Sequence, residues 1–353
     1  IFSATILGTL LLSIALAGFL ASYSQLVTDR ALDRAVQVRA RTAGLDLARS
    51  IDAEWHELVY LGQQLPSLAP EELQGILDGF VGSGSRVAWV GYAGLDGRVI
   101  AASKNMLAGE DVSERPWFRG GLKGSYAGDV RDAVLLNTML GGTEDTPIRF
   151  IDLVVPITDQ VGTVTGVLAM HMNADWLVRY VTESAKIRDL DLFLVSPSGA
   201  IVVSSTEAPL HPSDLQTFRA AAAGIQTTVR ETWPDGNAYQ SSILPTVTYG
   251  SIPSFGWRLV ARIQADAFAV DRSDLLQIGA MLMLGCFAII LLFAFAFVRL
   301  FIRPITRIAD ASLQISAGEM IFPPESRSSR EAGAISVALA RLQSQLSDRP
   351  KRP

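Results

Sequence analysis

One stretch limits what this chain can become more than any other. From Ile278 to Val298 the sequence is apolar without a single Asp, Glu, Lys or Arg, and it then runs through Arg299 and Arg303 into Pro304. At about 1.5 Å per residue the run spans roughly 30 Å, the thickness of a bilayer's hydrocarbon core. A helix buried in a soluble core seldom stays apolar on every side for so long, so the run predicts a membrane span over 276–301. Arg299, Arg303 and Arg307 at its end mark the cytoplasmic side. Residues 1–21 form a second uncharged run, longer than the core of a secretory signal, and predict an uncleaved first span. The chain begins inside that run without a Met, so truncation at the N-terminus is expected. Residues 22–275 then lie outside the bilayer as one large loop.

Composition agrees with this division. Only 18% of residues are charged, against about 25% in ordinary soluble chains. A net charge of −5 argues against a nucleic-acid partner, because the visible basic cluster sits beside a membrane span. The single cysteine, Cys286, lies inside the apolar run and leaves no disulfide framework. No nucleophile elbow or phosphate loop is present, and His56, His171 and His211 are far apart. His56-Glu57 begins a zinc-protease motif, but position 60 is Tyr and the second ligand is missing. Neither a metal nor a cofactor is predicted.

Between the spans, Tyr23 to Leu65 contains no proline and only Gly44 and Gly62. Leu32, Val36, Ala43, Leu47, Ile51, Trp55, Leu58 and Leu65 step by three, four and seven, which predicts a long stalk helix over 22–66. Pro66 and Pro70 end it. An internal repeat follows. Asp96-Gly97 sits between the apolar runs of Trp89 to Ser103, and Ser198-Gly199 does the same in Leu192 to Ser205, each predicting a strand hairpin. Each hairpin leads through a polar connection to a pair of longer strands, Ile148 to Ile157 with Thr163 to Met172, then Ala238 to Val247 with Gly256 to Ile263. Ala174 to Ile187 reads as a helix linking the two repeats. The expected fold class is α+β, with two tandem antiparallel-sheet modules.

A membrane-proximal helix followed by two such sheets between two spans resembles the double Cache (PAS-like) sensor domain of bacterial receptors. Arg115, Pro116, Trp117 and Phe118 are similar to the R-x-W-[YF] signature of that family's membrane-distal module. The resemblance implies a distal module over 67–186 and a proximal one over 187–275. From Phe301 onward the positions Phe301, Ile305, Ile308, Ser312 and Ile315, and then Ala332, Ile335, Leu339, Leu342 and Leu346, step like a coiled-coil seam. Pro323-Pro324 and a serine-arginine tract separate the two runs. This arrangement over 302–347 resembles a HAMP signalling module, with Pro304 and Glu331 at the starts of its helices as relay positions. Two helices cannot bury both seams alone, so the resemblance implies a homodimer.

The binding chemistry is expected around that signature. Arg115 carries a fork of donors suited to a carboxylate, and Trp117, Phe118 and Tyr126 offer an apolar wall, unless Arg115 simply pairs with Glu114, Asp111 or Asp129. Asp129 reads equally well as a pocket acceptor or a turn residue. Arg149 and Asp152, three apart on one strand, face opposite ways. In amino-acid-sensing relatives an Asp in the closing strand meets the ligand's amine, whereas here Gly166 to His171 places a histidine there. Arg115 with His171 therefore favours an anionic organic acid, bound more tightly as pH falls and His171 takes up a proton.

The expected function is a receptor in a bacterial inner membrane that senses a small molecule outside and relays it through the HAMP module to a cytoplasmic output domain or partner. Two alternatives remain at this level. The chain is a fragment of an output enzyme, a diguanylate cyclase or sensor histidine kinase, or it is a binding module that signals through partner proteins and ends at its RPKRP tail.

Overall fold

The computed structural model describes residues 2–68, 70–133, 135–143, 145–207, 211–265, 272–319, 321–326 and 329–347, so Ile1 and the Asp348–Pro353 tail lie outside the described residues. Two compact units divide the chain, one of Thr28–Ala269 and one of Ile1–Val27 with Val270–Pro353.

Helix α1 covers Phe2–Gln64. With no breaker inside it, the apolar stations expected of it are all buried in the larger unit, joined by Ala40 and Leu61. Two of its glycines, Gly44 and Gly62, mark close approaches to the sheets. A Cβ on Gly44 would stand 2.3 Å from Leu244, and one on Gly62 would stand 3.1 Å from Ile157 and Val155. The chain then forms a 3₁₀ turn at Leu65–Ser67, where Pro66 supplies no amide, and helix α2, Pro70–Val81.

The first sheet is built from β1 (Val87–Gly94), β2 (Val99–Ala102), β3 (Tyr126–Asp132), β4 (Arg149–Thr158) and β5 (Val164–Asn173), with the short helix α3 (Pro116–Gly121) between β2 and β3. Helix α4, Ala174–Arg188, leads to the second sheet, capped at its start by the Asn173 side chain. That sheet comprises β6 (Asp191–Val195), β7 (Ile201–Ser204), β8 (Thr228–Thr232), β9 (Ala238–Leu244) and β10 (Arg258–Gln264), with α5 (Gln216–Ala222) before β8. Both sheets are antiparallel and share one order, β2-β1-β5-β4-β3 and β7-β6-β10-β9-β8. The hairpins turn at Gly97 and Gly199, whose φ of 80° and 87° suit glycine. The edge strands β3 and β8, and helices α2, α3 and α5, were not expected from the sequence. The edge strands alternate weakly and carry few fully buried residues, so they read as polar connections.

Each sheet buries both faces. One face of each joins a continuous apolar core with α1 and α4, to which Ile151, Leu153, Met170, Leu192, Leu259 and Trp257 belong. The other faces carry separate clusters, around Trp89, Trp117, Phe118 and Phe150 in the first module and around Phe193, Phe218 and Trp233 in the second.

In the smaller unit, α6 covers Arg272–Phe297, one π-helical turn covers Val298–Ile302, and α7 covers Arg303–Ser316. Pro304 has no amide to give the Leu300 carbonyl, and the helix widens just before it. Gly279–Ser316 is long and apolar enough to cross a membrane, by length and composition. Helix α8, Arg330–Ser347, packs against α7, and Gln343 in its second half donates Nε2 to Glu319 O just past the end of α7. Ile308, Ala311 and Ile315 of α7 and Ala332, Ser336 and Gln343 of α8 are the buried positions. Of the seam positions expected from the sequence, Ile308, Ile315 and Ala332 are buried within the single chain. Ser312 is exposed, and Ile305, Ile335 and Leu342 are about half exposed, because a pair of helices covers only one stripe of each. Ser336 Oγ donates to Pro324 O at 3.0 Å and fastens the connector, and Glu331 lies exposed in the first turn of α8.

Candidate functional site

On the outer face of the first sheet, three adjacent strands each present one polar side chain among aromatic ones. Asp152 of β4 stands directly opposite His171 of β5 in the ladder, and Arg131 of β3 reaches Asp152. Arg131 arrives there through a β-bulge. Gly128 pairs with Asp152 and Arg131 with Phe150, so three steps on β3 match two on β4. Asp129 and Val130 take the place of one residue, and Arg131 regains the outer face.

Arg131 grips Asp152 with two hydrogen bonds, Nε to Oδ2 at 2.6 Å and Nη2 to Oδ1 at 2.9 Å. Asp152 is 2% exposed. Burial alone would raise its carboxyl, but His171 and Arg131 outweigh that and hold it below the ordinary carboxylate value. His171 Nδ1 lies 2.8 Å from Asp152 Oδ1, at an angle too oblique for an aligned hydrogen bond. The imidazole is sandwiched between Trp89 (centroids 4.7 Å) and Phe150 (5.6 Å), with Trp117 edge-on at 5.5 Å. Burial pushes its pKa down despite the pull of Asp152. His171 is consequently neutral at neutral pH, and Arg131 supplies the charge that matches Asp152.

Over this floor opens a cleft lined by Leu107, Arg115, Trp117, Arg131, Phe150 and His171 among others, enclosing about 310 Å³ with its mouth. Its interior has room for about one water, so a ligand has to displace side chains to enter fully. The rim is a tight turn after β2 in which Lys104, Asn105 and Leu107 all have positive φ, an unusual run for residues with a Cβ. Trp89 Nε1 donates to Met106 O at 3.0 Å and ties that rim to the floor. Arg115 precedes Pro116 in the extended conformation a residue before proline adopts, at the N-terminus of α3. Its expected partners are engaged elsewhere. Glu114 pairs with Arg119, Asp111 caps the amide of Ser113, and Asp129 accepts from Trp257. Among the described residues, no hydrogen bond or ion pair is recorded for the Arg115 side chain.

The structure brings Arg115, Trp117 and His171 together around the cleft. Phe118 and Tyr126 stand behind it in the same apolar cluster, with Tyr126 packed where Gly120 leaves space. Burial and the Asp152 charge push the Tyr126 phenol up. Asp129 turns away to the inner face. Sequence reasoning missed Arg131, because no local signal announces a bulge. It placed Asp152 and Arg149 on opposite faces, as they are, but gave Asp152 no part. An aspartate inside the otherwise apolar run Phe150 to Val155 was the available signal, since a strand covered on both faces leaves an acid no solvent. Burial lowers His171 below its ordinary value, so any gain of charge there comes at lower pH than the expected tightening of binding assumed.

No family model matches the sequence, and no curated protein matches it. Solved structures match at the level of fold. The sensory domain of the Campylobacter jejuni chemoreceptor Tlp3 (CcmL) with isoleucine bound superposes with a TM-score of 0.52 at 11% identity, over 69% of this chain and 97% of that one. The ligand-binding domain of the Pseudomonas fluorescens chemoreceptor CtaA with L-serine gives 0.51 at 14%, over 67% and 99%. An extracellular ligand binding receptor from Desulfohalobium retbaense aligns more loosely, at 0.48 and 13%, over 64% of this chain and 39% of its own. The larger unit thus has the double-Cache-like fold of chemoreceptor sensor domains.

Proposed function

We propose that this chain is the sensing and relay portion of a membrane receptor whose distal cleft binds a small organic anion outside the bilayer. The observation that carries this reading is the charge inventory of the cleft. Arg131 and Asp152 neutralise each other and His171 is uncharged, which leaves Arg115 as the surplus cation at the mouth. A carboxylate docked on its fork, against the faces of Trp117 and Phe150, satisfies both the charge and the apolar wall. The fold shared with chemoreceptor sensor domains supports the class of function. Helix α6 passes the signal through the bilayer to α7 and α8, which relay it as a HAMP module, with Pro304 and Glu331 at the starts of its helices. A second copy of the chain covers the apolar side chains left exposed on α7 and α8, and a cytoplasmic output domain or partner receives the signal.

Asp152 favours a second reading, an amino acid whose ammonium takes the place of Arg131 on the carboxylate. The solved Tlp3 and CtaA domains hold isoleucine and L-serine. Titration calorimetry on the full chain in lipid nanodiscs, with short carboxylic acids with and without an amino group, separates the two. The anion reading expects acids without an amine to bind, and Arg115→Ala to weaken them by about 2 kcal/mol, roughly thirtyfold. Tight binding of a zwitterion that is indifferent to Arg115→Ala but lost in Asp152→Asn sinks it.

A further inference from the structure

The bulge that delivers Arg131 to the cleft is held from the other module. Trp257, the residue before β10, donates its indole Nε1 to Asp129 Oδ1 at 2.7 Å. The same oxygen accepts from the Val130 amide at 2.8 Å, so one carboxylate oxygen clamps the two residues that form the bulge. Trp257 is itself fixed. It is 1% exposed, its ring stacks on Phe255 at 4.1 Å and 10°, and its carbonyl accepts from Val247 N at 3.1 Å. Asp129 and Val130 face the inner core while Arg131, one residue later, faces the cleft.

We infer that Trp257 of the proximal module is a positioning residue of the distal cleft, acting through Asp129 and the β3 bulge on Arg131. Without the bulge, strand alternation would return Arg131 to the inner face and leave Asp152 buried without its cationic partner. The clamp also works in reverse. A ligand that pulls on Arg131 pulls on Asp129, and Asp129 is bonded to the residue from which β10 starts, the last strand before α6. The meaning of this coupling rests on the distal cleft being the ligand site, but its test uses no ligand, so the two fail separately.

The test is hydrogen–deuterium exchange with peptide mass spectrometry on the full chain in nanodiscs, together with phenylglyoxal modification of Arg131. Trp257→Phe leaves an aromatic ring to stack on Phe255 and removes the N–H together with part of the ring's volume, so the strands of its own module serve as the packing control. Exchange across residues 126–132 is expected to rise about tenfold, the scale of one lost hydrogen bond, and Arg131 to react faster. Residues 238–244 and 258–264, in the module that Trp257 belongs to, stay as protected as before. Asp129→Ala is expected to reproduce the effect, the double variant to add nothing further, and Asp129→Asn, which retains an acceptor oxygen, to stay near the parent. Unchanged exchange at 126–132 in Trp257→Phe overturns the inference. So does loosening that appears equally in β9 and β10, since that is the signature of a packing role alone.

Discussion

Aligned on their hairpin glycines, Gly97 and Gly199, the two modules place different chemistry at equivalent points of the same sheet. Trp89 opposite His171 in the first becomes Asp191 opposite Arg262 in the second, and Asp152 becomes Ser241. Gly91 becomes Phe193. A Cβ on Gly91 would stand 2.2 Å from the Trp89 ring, so the glycine yields to Trp89 the space that Phe193 fills in the other module. The guanidinium of Arg262 lies 3.9 Å from the ring centre of Tyr239, 4.0 Å from that of Trp233 and 5.4 Å from that of Phe193, with Asp191 at 2.8 Å. Arginine does not deprotonate, so at 7% exposure it needs this carboxylate and these aromatic faces. Histidine at the corresponding point takes the other course and gives up its charge. The proximal module thereby fills its outer pocket with its own cation. The distal module leaves a cleft with an unmatched arginine at the mouth, which is why we propose the binding site there.

The largest expected effect tests the filled pocket. Arg262→Ala removes the cation from its cage and strands Asp191, and should cost about 3 kcal/mol in denaturant unfolding of the full chain. Arg262→Lys, which retains charge but loses the flat stacking, should cost less. A loss for Arg262→Ala within about 0.5 kcal/mol, as for an ordinary surface change, would break the comparison.

The next effect is a pH dependence belonging to the distal module. The folded pKa of His171 lies below its ordinary value of 6.5, chiefly through burial. A base with a lowered pKa is neutral when folded and protonated when unfolded. Stability is thus complete above pH 6.5 and declines as pH falls below it, by at most about 1.4 kcal/mol per unit for one proton. Asp152, also lowered, adds a loss in the same direction as pH drops toward and below 3.8. His171→Phe should flatten the first decline when unfolding is measured at successive pH values. An unchanged slope in that variant would place the titration elsewhere.

The smallest effect contrasts the contacts of α1 with the two sheets. Alanine at Gly62 meets side-chain methyl groups at 3.1 Å, and the helix propensity it adds, up to about 1 kcal/mol, offsets the crowding to within about 0.5 kcal/mol. Alanine at Gly44 would meet Leu244 at 2.3 Å and forces that side chain to another rotamer, for a net loss of about 1 kcal/mol. Thermal unfolding in which Gly44→Ala proves no worse than Gly62→Ala would mean that α1 sits equally loosely on both sheets.

What sequence determined was everything written at short range. The buried stripe of α1 from Leu32 to Leu65 follows from helical spacing, and the hairpins follow from Asp-Gly and Ser-Gly between apolar runs. The duplicated order of hairpin and long strands followed from their repetition. Arg115, Trp117 and His171 were legible as candidates because each stands in a recognisable local run. Tertiary structure alone decided their company. Arg131 reaches the cleft only because a bulge shifts the register by one residue, and Asp152 meets His171 only because β4 and β5 pair in that register. Arg262 and His171 stand at one equivalent point, yet one keeps its charge and the other loses it. Burial, aromatic faces and a partner carboxylate make that choice, and they come from strands and turns distant in sequence that meet only when the sheets are assembled.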